Sequence, residues 1–222
     1  MFNLLKSFVL LAVIGFGIGG CMSPKSFVDP TYPKVSYDQI TKRQSPLRLN
    51  LTVEFQRNGE HFPRADATLR DNTERILRAS EVIVPVSDEG EGRIKVVVNN
   101  IVDTDTAVAK GFGTGLTFGL VGTLVTDAYE MSVSITANGK TVERVAVKHA
   151  LHSAIGNTAI PEGIETMPPN EAFERVLEQM ILRVLHDIQS KGELSRYHLP
   201  EFVCAPTKSR CLVSRHFYES NL

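Results

Sequence analysis

The sequence predicts an α+β fold: a two-layer sandwich in which one mixed or antiparallel sheet carries two helices on one face, interrupted by a glycine-rich apolar insertion. Three observations predict it. Leu47, Leu49, Leu51, Val53 and Phe55 alternate with polar residues, the period of a half-buried strand. Phe173, Val176, Leu177, Met180, Ile181, Val184, Leu185 and Ile188 recur at helical spacing and form one wide apolar stripe. Asn138-Gly139 separates two strand-like runs and is a strong short-range hairpin signal.

The chain opens with Lys6, a positive n-region, and an apolar run from Ser7 to Gly17 of signal-peptide length. A transmembrane helix needs about 20 apolar residues, and this run is shorter. It ends in Ile18-Gly19-Gly20-Cys21, which resembles the lipobox of bacterial lipoproteins. The resemblance implies a signal peptide over 1–20, removed before Cys21, and acyl chains (palmitate among them) on that cysteine. A plain secretory signal or an uncleaved anchor are the alternatives. Met22 stands where an Asp would favour inner-membrane retention, so the resemblance implies the periplasmic face of the outer membrane. Residues 21–46 carry Pro24, Pro30, Pro33 and Pro46 without a sustained period and read as a tether. Extended at roughly 3.1 Å per residue, it reaches up to about 75 Å.

The periplasmic domain is expected over residues 47–192. After the first strand, Asp66 is the expected cap of a helix running to about Ser80, with Leu69, Ile76 and Leu77 on one face. Arg70/Glu74, Asp71/Arg75 and Glu74/Arg78 are spaced as exposed pairs worth a few tenths of a kcal/mol each. Val82–Val84 is a short strand before Pro85. Asp88 to Gly92 is a turn whose carboxylates lack the spacing of a calcium loop and read as solvated. Ile94 to Val102 is a central β-branched strand. Tyr129, Met131, Val133 and Ile135 alternate with polar residues, and Val142 to Leu151 returns beyond the Asn138-Gly139 turn. An irregular crossover (156–169) leads to the helix from Pro169 to Ser190, ended by Gly192. This element order over 47–190 resembles, loosely, the small α/β modules of envelope proteins such as the TolB N-terminal domain and the LpoB-type activators.

Within the insertion (107–126), the sequence from Gly111 to Thr126 holds no charge. Gly111, Gly115 and Gly119 repeat every four residues, with Gly122 beyond them, and Phe112, Leu116 and Leu120 form the adjacent row. As a helix this is a glycine zipper, a smooth groove beside a bulky ridge. Its glycines cost such a helix about 4–5 kcal/mol against alanine, so close packing or lipid has to offset the loss. Three readings stand: packing on its own sheet, self-association or partner docking, and a membrane-dipping segment. Gly111-Phe112-Gly113 follows a strand, but the third glycine of a dinucleotide fingerprint is absent, as is a P-loop lysine.

Composition excludes further classes. Net charge is −1 and Trp is absent, so neither an electrostatic footprint nor a stacking platform for nucleic acid is present. With Cys21 assigned to lipid, Cys204 and Cys211 are expected to pair in an oxidising compartment, closing a loop within the tail 193–222. Such a loop contributes about 2.5 kcal/mol. Free thiols or a redox site are the alternatives. His149 and His152 fall on opposite faces of a strand and cannot share a metal there, and Ser153 lacks a nucleophile elbow. No catalytic set, metal site or cofactor site is expected. The function expected is a non-catalytic, lipid-anchored envelope protein that assembles with an envelope component or with itself. An envelope hydrolase with an unrecognised site, or a membrane-inserting export or pore component, are the alternatives.

Overall fold

A computed structural model describes residues 24–102 and 122–194, together with the backbone of two short strands at 202–203 and 212–213. The fold is the α+β sandwich. Its strands are β1 (Lys25–Val28), β2 (Leu47–Arg57), β3 (Glu60–His61), β4 (Ile83–Val86), β5 (Gly92–Ile101), β6 (Thr123–Ala137) and β7 (Lys140–Ile155). These form one seven-stranded sheet in the order β1-β7-β6-β5-β2-β3, with β4 alongside β2. The helices are α1 (Asp66–Ser80) and α2 (Pro169–Ser190). Strands β8 (Phe202–Val203) and β9 (Leu212–Val213) pair separately.

The described chain divides into a larger unit (29–102, 127–150 and 174–194) and a smaller one (24–28, 122–126 and 151–173). In the larger unit β5 runs parallel to β2 and antiparallel to β6, which sets Val53, Val96 and Val133 in one row and Leu51, Ile94 and Ile135 in the next. These rows are buried, whereas their neighbours Thr52, Lys95 and Ser134 lie on the other, wetter face. Both helices cover the apolar rows. Leu69, Ile76 and Leu77 of α1 are buried, as are Val176, Leu177, Met180, Ile181, Val184, Leu185 and Ile188 of α2, the stripe the sequence predicts. Each such side chain contributes about 1.5–3 kcal/mol. Exposed ion pairs such as Arg70–Glu74 and Glu74–Arg78, both at 3.8 Å, contribute 0–1 kcal/mol at most. Burial therefore holds the helices.

Local details depart from the sequence reading. Asp66 does not cap α1; it is the helix's first residue, and its carboxylate accepts from the Phe55 N–H (2.8 Å) and meets His61 Nε2 (2.7 Å). The preceding 3-10 turn, Pro63–Ala65, leads directly into the helix and leaves that carboxylate free to tie the helix start to β2. Arg75 bonds Asn72 and reaches across to Glu174 of α2 at 2.8 Å, rather than pairing with Asp71. The stretch expected as a tether is built into the fold from Lys25 onward. Phe27, Val35 and Ile40 are buried, β1 pairs with β7, and Gln179 and Gln189 of α2 bind the backbone at Val35 and Thr41. The prolines break the period that would betray these contacts, and three well-spaced apolar residues are enough to make them.

The β6–β7 hairpin turns at Asn138 (φ 51°) and Gly139 (φ 72°), the left-handed pair a two-residue turn of this hand requires. Thr136 then faces Thr141 (2.9 Å between hydroxyls) and Ser134 bonds Glu143. Further along, Glu130 faces Lys148 and Thr126 faces His152. Between these pairs β7 carries one residue more than β6, a β-bulge, and Ala146 with φ 55° marks it. The extra residue turns Lys148 to the polar face and His149 to the core. A left-handed alanine costs about 1–2 kcal/mol. Ala146→Gly is therefore expected to stabilise the protein by about 1 kcal/mol, less what glycine adds to the unfolded chain's freedom. Urea denaturation midpoints of the two proteins check this, and an unchanged or lower midpoint would refute it.

Candidate functional site

In the larger unit the bulge delivers His149 into a buried position, 1% exposed. Its ring stacks on Tyr32, with centroids 4.7 Å apart, and Nδ1 accepts the Ala150 N–H at 2.8 Å. The Arg183 guanidinium lies over the other ring, 5.8 Å from the Tyr32 centroid, and donates to the Lys148 carbonyl at 2.6 Å. Burial, and then the charge of Arg183, pushes the His149 pKa down to about 4. With Nδ1 accepting and the ring neutral, the proton is on Nε2. A neutral imidazole stacked in this way orders the Tyr32 segment.

Other polar groups of this unit are likewise spent on structure. Arg144 donates to both Asp187 and Glu193, and Lys191 adds a 3.0 Å bond to Asp187. Lys191 and Arg144 hold the Asp187 carboxyl below its usual range. The Tyr37 hydroxyl donates to Glu178 at 3.3 Å, and burial together with that carboxylate raises its pKa to about 12. A cleft of about 460 Å³ opens beside the hairpin turn, lined by Asn50, Gly90, Gly92, Arg93, Thr136 and Asn138. Asn50 donates to the carbonyls of Val86 (3.2 Å) and Asp88 (2.8 Å), so its NH2 group closes the acidic turn.

In the smaller unit three strands run out together. Lys25 of β1 lies opposite Ala154 of β7, and Ser26 opposite Ser153, with their hydroxyls 2.7 Å apart. His152 packs on Phe27 (5.0 Å between centroids) and meets the Thr126 hydroxyl at 2.9 Å through Nδ1. Ser153 and His152 thus point to opposite faces and to different partners, which separates hydroxyl from base. Since Thr126 faces His152, Val125 faces Ser153, and Ile155 lies two residues on along the same face. Val125 is 37% exposed and Ile155 45%, a pair of apolar side chains at the strand ends.

Of the residues expected from sequence to matter, Gly122 is described. It packs against its own chain: a Cβ there would lie well inside contact distance of Asn157 and Thr158. Cys21, Cys204, Cys211, Gly111, Gly115, Gly119, Phe112, Leu116 and Leu120 lie outside the described residues. Among the described residues no group of three or more His, Cys, Asp or Glu is placed to hold a metal ion, and no helix is long and apolar enough to cross a membrane. The Tyr32–His149–Arg183 stack escapes sequence reasoning because it depends on the bulge. Its one sequence trace is a slip in parity, charged Glu143 falling on an odd position and charged Lys148 on an even one.

No family model matches the chain, and no curated protein matches it. Among solved structures it is similar to a dodecamer of PelC from Paraburkholderia phytofirmans at 10% identity, over 72% of this chain and 97% of that one, with a TM-score of 0.28. An uncharacterized protein matches at 13% identity over 68% of this chain and 98% of its own, with a TM-score of 0.23. At these scores neither likeness carries an argument about this chain.

The His149 environment has a consequence in pH. Its folded pKa is depressed from 6.5 to about 4, so between those values the unfolded chain takes up a proton that the folded one refuses. Stability is expected to fall as pH drops through this window, by up to about 3 kcal/mol at its acid end. Urea denaturation at pH 7 and pH 4.5 checks this against His149→Phe, in which that part of the pH slope should vanish. An equal slope in both proteins would refute it.

Proposed function

We propose that the chain is a non-catalytic lipoprotein, held by acyl chains on Cys21 at the periplasmic face of an outer membrane, whose α+β domain assembles with an envelope component. The observation that carries this reading is the join between address and fold: β1 begins at Lys25, four residues after the lipobox cysteine. Several acyl chains make such attachment durable where one alone is marginal. The commitment of His149, Arg144, Asn50 and Ser153 to structural partners supports a binding rather than a catalytic role.

Self-association through Gly111, Gly115 and Gly119, with Phe112, Leu116 and Leu120 as the ridge, is the most concrete form of that assembly. A disulfide between Cys204 and Cys211 belongs to the same reading. The antiparallel register Val203↔Leu212 supports it, because the two strands enter and leave the cysteine loop side by side.

Growth with radioactive palmitate tests the anchor. The wild type is expected to take up label and Cys21→Ala to take up none; an unlabelled wild type would overturn the proposal. Crosslinking in cells through Thr114→Cys or Thr117→Cys tests the assembly. Dimers are expected, and monomers alone would remove self-association while leaving the anchor in place.

A further inference from the structure

We propose that the end of the sheet where β1 begins and β7 stops rests on the lipid bilayer, with Val125 and Ile155 at the boundary between headgroups and acyl chains. The inference rests on the lipid anchor at Cys21. Four residue steps lead from that cysteine to Lys25, and fully extended they span at most about 14 Å. Acyl chains in the bilayer fix Cys21 at its surface, so the start of β1 is confined to the same layer. Lys25 lies opposite Ala154, one residue before Ile155, and Gly122 leads into β6 beside them.

The side chains at this end suit a membrane surface. Ile155 and Val125 share a face and are 45% and 37% exposed. Between them Ser153, the polar group on that face, already has its hydroxyl bonded to Ser26, so covering the face leaves that group satisfied. Lys25 is exposed and supplies a cation for lipid phosphate. Glu162 and Glu165, exposed in the loop that follows β7, limit the depth, since a deep insertion would bury their carboxylates. The contact is therefore shallow, an interfacial seat at a depth of about 5–10 Å.

The absence of tryptophan from the sequence provides the test. The full-length lipidated protein carrying Ile155→Trp, or Val125→Trp as a second position, is reconstituted in phosphatidylcholine–phosphatidylethanolamine vesicles with and without brominated acyl chains. Val145→Trp, at the most exposed large apolar position among the described residues (69%), is the control. Emission at 155 and 125 is expected to shift to the blue and to lose intensity with brominated lipid, whereas emission at 145 should do neither. Water-like emission at 155 and 125, a blue shift without bromine quenching (cover by protein), or equal quenching at all three positions would each overturn the inference. The acyl mass on Cys21 in the same preparation separates the two layers of argument. An acylated protein with unquenched Trp sinks this inference alone, and an unacylated one sinks the anchor with it.

Discussion

The structure depends on keeping water from one face of a twisted sheet. Rows such as Val53–Val96–Val133 and Leu51–Ile94–Ile135 cross three strands in register on the buried face, and rows such as Thr52–Lys95–Ser134 alternate with them on the wetter one. Neither helix could hold its conformation in water from its own hydrogen bonds, since most helical stability in proteins comes from packing an amphipathic face. The fully buried Leu177, Met180 and Leu182 of α2, and Leu69 and Leu77 of α1, supply that packing. Arg75 and Glu174 join the two helices at 2.8 Å, but an exposed pair of this kind adds little beyond fixing their alignment.

A second constraint follows from the length of β7. Its sixteen residues form an outer strand that β1 covers only from Leu151 to Ala154. A long bare edge invites pairing with another chain, and natural sheets blunt such edges with bulges and charges. Here the bulge at Ala146 breaks the strand's regularity, Lys148 and Glu143 flank it, and Arg183 and the Asp29 N–H occupy the carbonyls of Lys148 and Ala150. The same bulge turns His149 inward beneath Tyr32. One inserted residue thus protects an edge, orders the segment that follows β1 and creates the unit's buried imidazole.

The smaller unit has a different character. Within it Ser26 bonds Ser153 and Thr126 meets His152, while apolar Val125 and Ile155 stay in the open. In a protein interior the reverse arrangement would be expected. On a face proposed to meet lipid, satisfied hydroxyls beside exposed β-branched side chains are the arrangement that costs least to cover.

The sequence by itself determined the class of fold, because a period of two in Leu47–Phe55 and of 3.6 in Phe173–Ile188 dictates which faces must be buried. It determined both helices nearly to the residue and the Asn138-Gly139 turn, whose left-handed backbone few other residue pairs adopt. It also holds Ile18-Gly19-Gly20-Cys21, the stretch on which the proposed anchor rests and which no packing argument could replace. Only the tertiary structure decided the path of residues 25–46, since Phe27, Val35 and Ile40 are too sparse for any period to reveal and find their partners far along the chain. Only it decided where Asp66 and Arg75 bind, because a side chain with two partners in reach is claimed by geometry. And only it decided the Ala146 bulge and the burial of His149: a one-residue slip between strands is a property of the pair, and neither strand's own sequence contains it.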